Sequence, residues 1–324
     1  MKFEEIKSYP VFSVIIPVYN KEENVERAIA SVFNQTFDNF EVIVICDPST
    51  DKSDQEVLKF SDDRLRIFYR NEPGPGGYAA RNLGIKNARG KWITFLDADD
   101  EWFPNRLLSH KKIFDQHDCD IICSSWQDVY DDGTKSEPLP LRAGMLTAHQ
   151  FFRLYGKSTR VIHTNTITCK KKIFNAVGGF PVGRYKRGGD VYTWLKIVDF
   201  SGFVFRSTEE VSIYHKEAST VTKNHRPDLE GNAVYDMCKA LTEKNGKSFL
   251  YNYNLYVISN RHIRYGLVDR VKSGSFKLSD LQLYRFWVNP IDYARFLVVG
   301  MLPESLRIRV VGWIRSTSKL GVKE

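Results

Sequence analysis

From residue 12 to residue 96 the chain alternates short apolar runs with stretches of helical periodicity, a pattern that predicts buried strands separated by covering helices. Residues 12–18, 40–46, 65–69 and 92–96 are rich in Val, Ile and Phe without strict polar alternation, as strands covered on both faces are. Residues 22–33 and 79–88 read as helices between them, followed by a helix at 106–114 and a short strand at 120–125. The order predicts an α/β architecture: a mostly parallel central sheet flanked by helices. Farther on, 161–168 reads as a strand, 190–200 as a helix, and 203–206 and 211–215 as closing strands. No internal repeat or low-complexity segment is present. The compact unit is expected to span 1–225, leaving 226–324 as a helical, basic extension.

In open sheets of this kind ligands bind beyond the carboxyl ends of the strands. Asp47 and Asp97 each directly follow a predicted strand, so they are expected at one crevice although 50 residues separate them. Asp97, Asp99 and Asp100 concentrate carboxylates after the run 92–96, a set that suits Mg²⁺ or Mn²⁺ shared with phosphate oxygens. The competing reading makes Asp100 a helix cap near Trp102. Asp47 can accept from a base imide or a ribose hydroxyl, or simply cap a turn. Arg81 follows the glycine-rich segment Gly74-Pro75-Gly76-Gly77, where a loop opening a helix can close over phosphate. Asp190, after Gly188-Gly189, falls in the first turn of a helix, as a catalytic carboxylate or as a residue stabilised by the helix dipole. The glycine fingerprints of dinucleotide-binding and P-loop proteins and the serine elbow of hydrolases are absent.

Charge changes the picture only at the end of the chain. The net charge is +8, and from Arg261 onward 12 basic residues face 5 acidic ones. In 293–315 apolar bulk is studded with arginine and Trp313, which suits an interfacial helix on anionic lipid as well as a helix packed on the catalytic unit. No stretch reaches the roughly 18 apolar residues of a membrane span, and residues 1–10 lack the apolar core of a secretory signal. The five cysteines lack zinc-site spacing and read as reduced, buried thiols. A cytoplasmic protein is expected.

Taken in order, Val14-Ile15-Ile16-Pro17-Val18-Tyr19-Asn20, Gln35-Thr36-Phe37, Asp47-Pro48-Ser49-Thr50-Asp51, Ala80-Arg81-Asn82-Leu83-Gly84, Phe95-Leu96-Asp97-Ala98-Asp99-Asp100, Gly178-Gly179-Phe180 and Gly189-Asp190 with Trp194-Leu195 closely resemble family 2 glycosyltransferases of the GT-A fold. The resemblance covers about residues 12 to 215. It implies an inverting transfer from a nucleotide sugar, UDP-linked in the commonest case, to a glycan or lipid-linked acceptor. Asp47 then matches the base-contacting aspartate, and Pro17, Tyr19 and Arg81 fall in donor-side segments. Asp97 and Asp99 match the DxD motif, with Asp99 the better ligand for Mg²⁺ or Mn²⁺ and Asp97 toward ribose or sugar. Asp190 matches the base, and His215 is a further candidate at the metal and diphosphate. Two departures stand out: Cys46-Asp47-Pro48 retains one acid where the family commonly has two and a glycine, and Gly189 replaces the usual glutamate before Asp190. The resemblance also implies cell-surface polysaccharide or lipopolysaccharide assembly at the inner face of the cytoplasmic membrane, with peripheral contact to anionic lipid. Two other readings stand beside it, a noncatalytic nucleotide-sugar or glycan binder and a nucleic-acid binder; the positive residues are mixed with apolar ones, so no nucleic acid is expected.

Overall fold

A computed structural model of the chain describes residues 9–137, 140–217, 229–244, 246, 248–307 and 309. Strands β1 (Phe12–Val18), β2 (Phe40–Cys46) and β3 (Leu65–Tyr69) coincide with the predicted runs, and β4 (Trp92–Phe95) ends one residue early. Helices α1 (Val25–Phe33), α2 (Ser53–Val57) and α3 (Tyr78–Asn87) connect them. Because strand side chains alternate, Val14 and Ile16 of β1 enter one apolar cluster with α1, while Ile15 enters the larger cluster with α3. That two-sided burial is why the strands show no polar alternation.

The rest of the core comprises β5 (Glu101–Trp102), α4 (Arg106–Gln116), β6 (Ile121–Val129), β7 (Gly144–Thr147), α5 (Ala148–Lys157), β8 (Ile167–Lys170), α6 (Lys171–Val177), α7 (Gly189–Ser201) and β9 (Phe203–His215). The sheet runs β3-β2-β1-β4-β8-β6-β9-β5, with β7 on β9. It is parallel through β3, β2, β1 and β4, and β8 then inserts antiparallel between β4 and β6. β9 runs parallel to β6, while β5 and β7 are antiparallel to it.

Two sequence expectations are corrected. The strand expected at 161–168 is mostly tight 3₁₀ turns, Thr159–Val161 and Thr164–Thr166, and pairing begins only at Ile167. Polar Thr164, Asn165 and Thr166 are buried there; Asn165 accepts from Asp97 N of the acidic loop, and Thr166 Oγ1 donates to His163 O within its own turn. The two closing strands are one continuous β9, whose polar middle is accommodated where β6 shifts register and buried Arg206 donates to Ser125 Oγ at 2.7 Å. Helix α5 was not anticipated, although its capping box, Thr147 with Gln150, is written in the sequence.

Helices α8 (Ala233–Thr242), α9 (Phe249–Lys272) and α10 (Pro290–Met301) follow, and the expected division near residue 225 falls outside the described residues. Met237 and Leu241 of α8, with Leu255 and Ile258 of α9, share the main cluster with α5 and α7. The second half of α9 builds a separate cluster with Phe276, Phe296 and Val299. Buried Asp199 of α7 bridges the parts, accepting from Tyr251 Oη and pairing with Lys244 Nζ at 2.8 Å. Helix α10 thus buries Phe296 and Val299 while leaving Ile291, Val298 and Met301 exposed. Trp313 and Arg315 lie outside the described residues. Among the described residues no helix is long and apolar enough to cross a membrane. All five cysteines are free and buried; burial pushes Cys46 up to about 12 and Cys119 and Cys123 to about 11, which leaves them protonated and unreactive.

Candidate active site

The carboxyl ends of β1, β2 and β4 lie side by side, and the loops that leave them carry the candidate residues. Asp47 leaves β2 with its N–H donating to Val18 O at 2.9 Å. Its carboxylate is buried against the Arg70 guanidinium, which directly follows β3, and faces the Gly74 N–H at 3.4 Å. Burial pushes the Asp47 carboxyl up, and Arg70 pulls it back. A flat acceptor–donor pair of this kind suits the edge of a planar base. Tyr19 is 46% exposed at the rim, and Pro17 is half-buried near the end of β1. Arg70 was missed in the sequence reading, although it carries the same signal as Asp47, a charged residue immediately after a strand.

The acidic run is divided by environment. Asp97 Oδ1 accepts from Arg81 Nη2 at 2.5 Å, and Arg81 Nη1 donates to Gly76 O at 2.7 Å, so the glycine-rich loop is tied to the run through one guanidinium. Asp99 Oδ2 pairs with Lys21 Nζ at 2.6 Å, and Arg27 Nη2 donates to the Asp99 carbonyl at 2.5 Å. Burial raises the Asp99 carboxyl and neighbouring Asp97 adds to it, with Lys21 opposing; added positive charge is favoured here. Asp100 is wholly buried and accepts from His215 N at 2.9 Å and Asn165 Nδ2 at 2.5 Å. It therefore caps no helix: the next one starts at Arg106 behind Asn105, and Asp100 instead fastens the end of β9 to the acidic loop. His215 Nε2 meets Glu101 Oε1 at 2.9 Å.

Asp190 occupies the first turn of α7 behind Gly188, whose φ of 74° is left-handed and favours glycine. Its side chain makes no cap; Thr164 Oγ1 donates to Asp190 Oδ2 at 3.5 Å. Buried Arg81 feels Asp97 first and then Asp190, after the cost of its burial, and half-buried His163 senses both carboxylates too. Asp97 and Asp190 therefore lie within electrostatic reach of the same two side chains, Arg81 and His163. His163 lies between Trp126 and Tyr214, with ring centroids at 5.2 and 4.9 Å, a wall no sequence signal announced.

The backbone at Gly189 leaves no room for a side chain. Tyr78 Oη accepts from Gly189 N at 2.9 Å, and a Cβ at 189 would stand 2.6 Å from Tyr78 Cζ. Tyr78 thus occupies the space a side chain at 189 would need. Gly189→Ala is expected to destabilise the protein by about 1–3 kcal/mol through overpacking. Thermal unfolding checks this; an unchanged transition counts against the contact.

Residues 13–176 match the sequence profile described as Glycosyl transferase family 2. The chain belongs to this family. Among relatives of this family 2 chain, an uncharacterized glycosyltransferase of Rickettsia bellii is 43% identical over 129 residues, 39% of this chain and 18% of its own length. WfgD of Escherichia coli, a UDP-Glc:alpha-D-GlcNAc-diphosphoundecaprenol beta-1,3-glucosyltransferase, is 43% identical over 95 residues, 29% of this chain and 37% of its own. The match spans about a fifth of the length of three Rickettsia relatives. The fold is that of S. aureus TarS 1-349 in complex with UDP-GlcNAc, with a TM-score of 0.70 over 94% of this chain and 87% of that one at 20% identity. The GT-A architecture expected from the sequence is the one observed.

No three His, Cys, Asp or Glu side chains form a ready metal cage among the described residues. A small hard cation that keeps waters and takes substrate phosphate oxygens needs only one or two carboxylates. Asp97 and Asp99, each with a second oxygen beyond its bond to Arg81 or Lys21, fit that mode.

Proposed function

We propose that the protein is an inverting glycosyltransferase using a nucleotide sugar, UDP-linked, with a glycan or lipid-linked acceptor of cell-surface polysaccharide synthesis. The observation that supports this reading is Arg81, which pairs with Asp97 and lies within electrostatic reach of Asp190, the proposed donor-side and acceptor-side acids. Asp47 and Arg70 would grip the base, with Pro17 and Tyr19 beside it. Asp190 takes the proton of the acceptor hydroxyl as its oxygen bonds to the anomeric carbon. The bond from that carbon to the diphosphate oxygen breaks on the opposite face, and its electron pair leaves with the nucleoside diphosphate. Asp99, with Asp97 alongside, would hold Mg²⁺ or Mn²⁺, which supplies charge neutralisation for the leaving diphosphate. His215, bonded to Glu101, is a proposed neighbour of that ion. The UDP-Glc donor of WfgD and the UDP-GlcNAc bound to TarS support the donor class.

The experiment is thermal unfolding with a panel of nucleotide sugars and Mn²⁺ or Mg²⁺. A ligand at 100 times its Kd stabilises by about 2.7 kcal/mol. UDP-sugars are expected to raise the transition and UMP or GDP-sugars to do so less; no shift with any nucleotide sugar would sink the donor assignment.

We place the division between catalytic unit and helical extension near residue 225, and assign the extension a peripheral contact with anionic membrane at the inner face of the cytoplasmic membrane. Exposed Phe249 and Leu250 adjoin Tyr253 and Trp287, whose rings lie in chain at 6.4 and 6.2 Å, with Phe286 next in sequence and Arg285 over Tyr256. Aromatic bulk beside cations suits the headgroup region. Replacing Phe249, Phe286 and Trp287 by Ser is expected to release protein from anionic vesicles in flotation assays. These substitutions spare the buried Phe296 and Val299 that truncation at 290 would remove.

A further inference from the structure

We propose that Lys21 is a resident counter-ion of Asp99 which a nucleoside diphosphate draws away, so that a divalent ion joins Asp99 only together with the diphosphate. The inference rests on the nucleotide-sugar reading above.

The loop that carries Lys21 is built with care. Asn20 has φ of 50°, the one positive φ outside glycine among the described residues. Asn tolerates the left-handed region, and such outliers persist where the surroundings over-determine them. Here the loop after β2 does so. Asn20 N donates to Ser49 Oγ at 3.1 Å, and Asn20 Oδ1 accepts from Thr50 N at 2.8 Å. Lys21 N donates to Ser53 Oγ at 2.7 Å, and that fully buried serine is itself bonded to Asp51. Glu22 N donates to Asp51 Oδ2 at 3.1 Å. The backbone of Lys21 is thereby fixed against one loop while its side chain crosses to another, reaching Asp99 Oδ2 at 2.6 Å with 13% of each side chain exposed.

The two cations that pair with carboxylates of this run differ in chemistry. Arg81 is buried, bonded to both Asp97 and the Gly76 carbonyl, and its planar fork fixes geometry. Lys21 presents a compact charge on a flexible four-carbon stem, which can leave Asp99 without moving the anchored backbone. While the ammonium holds Oδ2, a divalent ion approaching the same carboxylate meets a like charge at contact range. A diphosphate carries several anionic oxygens, a stronger partner for an ammonium than one carboxylate. Its arrival gives Lys21 a new partner and releases Asp99 as the surplus negative charge enters the site. Metal and diphosphate then strengthen one another, and by linkage the coupling is reciprocal.

The test measures Mn²⁺ binding by the EPR signal of free Mn²⁺, and UDP binding in EDTA by calorimetry, for the full chain and for Lys21→Met and Lys21→Arg. In the unsubstituted protein, saturating UDP is expected to tighten Mn²⁺ binding by about tenfold or more. Lys21→Met is expected to bind Mn²⁺ alone about tenfold more tightly, to lose most of the UDP dependence, and to bind UDP in EDTA about tenfold more weakly. Lys21→Arg keeps the charge and is expected to stay close to the unsubstituted protein in Mn²⁺ affinity. If Lys21→Met folds poorly, Lys21→Gln carries the same expectation. Equal Mn²⁺ affinity in the neutral variant and the unsubstituted protein, with UDP still bound, overturns the role of Lys21 and leaves the donor assignment standing. Absence of UDP binding to the unsubstituted protein overturns both.

Discussion

Asp190→Asn is expected to lower the rate of sugar transfer by about 10³-fold while UDP and Mn²⁺ binding stay within about twofold of the unsubstituted protein. The substitution keeps shape and removes only the basic oxygen. Asp190 makes no helix cap, and Thr164 Oγ1 reaches its carboxylate only at 3.5 Å, so the fold depends little on it. The bland role, stabilisation of the helix by a carboxylate in its first turn, is worth about 0.3–1 kcal/mol and would leave turnover almost untouched. Steady-state kinetics beside nucleotide titration separates the two; full turnover in Asp190→Asn would remove this residue from the chemistry.

Arg81→Met is expected to destabilise the protein by about 3 kcal/mol and to weaken nucleotide-sugar use by at least tenfold. Arg81 is buried and spans the Gly76 carbonyl, Asp97 and, electrostatically, Asp190, with the Phe180 ring 5.7 Å from its guanidinium carbon. Methionine fills much of the volume but leaves Asp97 without its cation and frees the glycine-rich loop. Chemical denaturation reports the first effect and kcat/KM the second. Unaltered stability would mean that water replaces the pairing at the partly exposed Asp97 carboxylate.

The parallel half of the sheet was legible because β1, β2 and β4 are buried on both faces and their apolar runs are the direct trace of that burial, while the edge strand β3 is only partly buried. Asp47, Asp97, Asp99 and Asp190 were legible for a different reason, since each stands at an element boundary where side chains leave the core. What remained hidden depends on contacts between distant segments. Asn165 lies in a stretch whose β-branched residues mimic a strand, yet its amide bonds the acidic loop on both sides, donating to Asp100 and accepting from Asp97 N. Tyr78 precedes the helix expected at 79–88 and carried no signal of its own, and only its approach to Gly189 shows why that glycine is needed. Lys21 sits 78 residues from its partner, and nothing local distinguishes it from the other surface lysines. The reading of Asp100 as a cap failed because local spacing cannot reveal that a strand ending at residue 215 arrives beside it.

The seam around Asp199 bears on any attempt to recombine this protein with its relatives. A graft joined just after β9 would discard Met237, Leu241, Leu255 and Ile258, and with them one wall of the apolar cluster that supports α7. It would also leave the Asp199 carboxylate without Tyr251 and Lys244, in the helix that begins with Asp190. A chimera that keeps its native chain through the first half of α9 preserves this wall, and the exchangeable cassette therefore begins well inside the helical region.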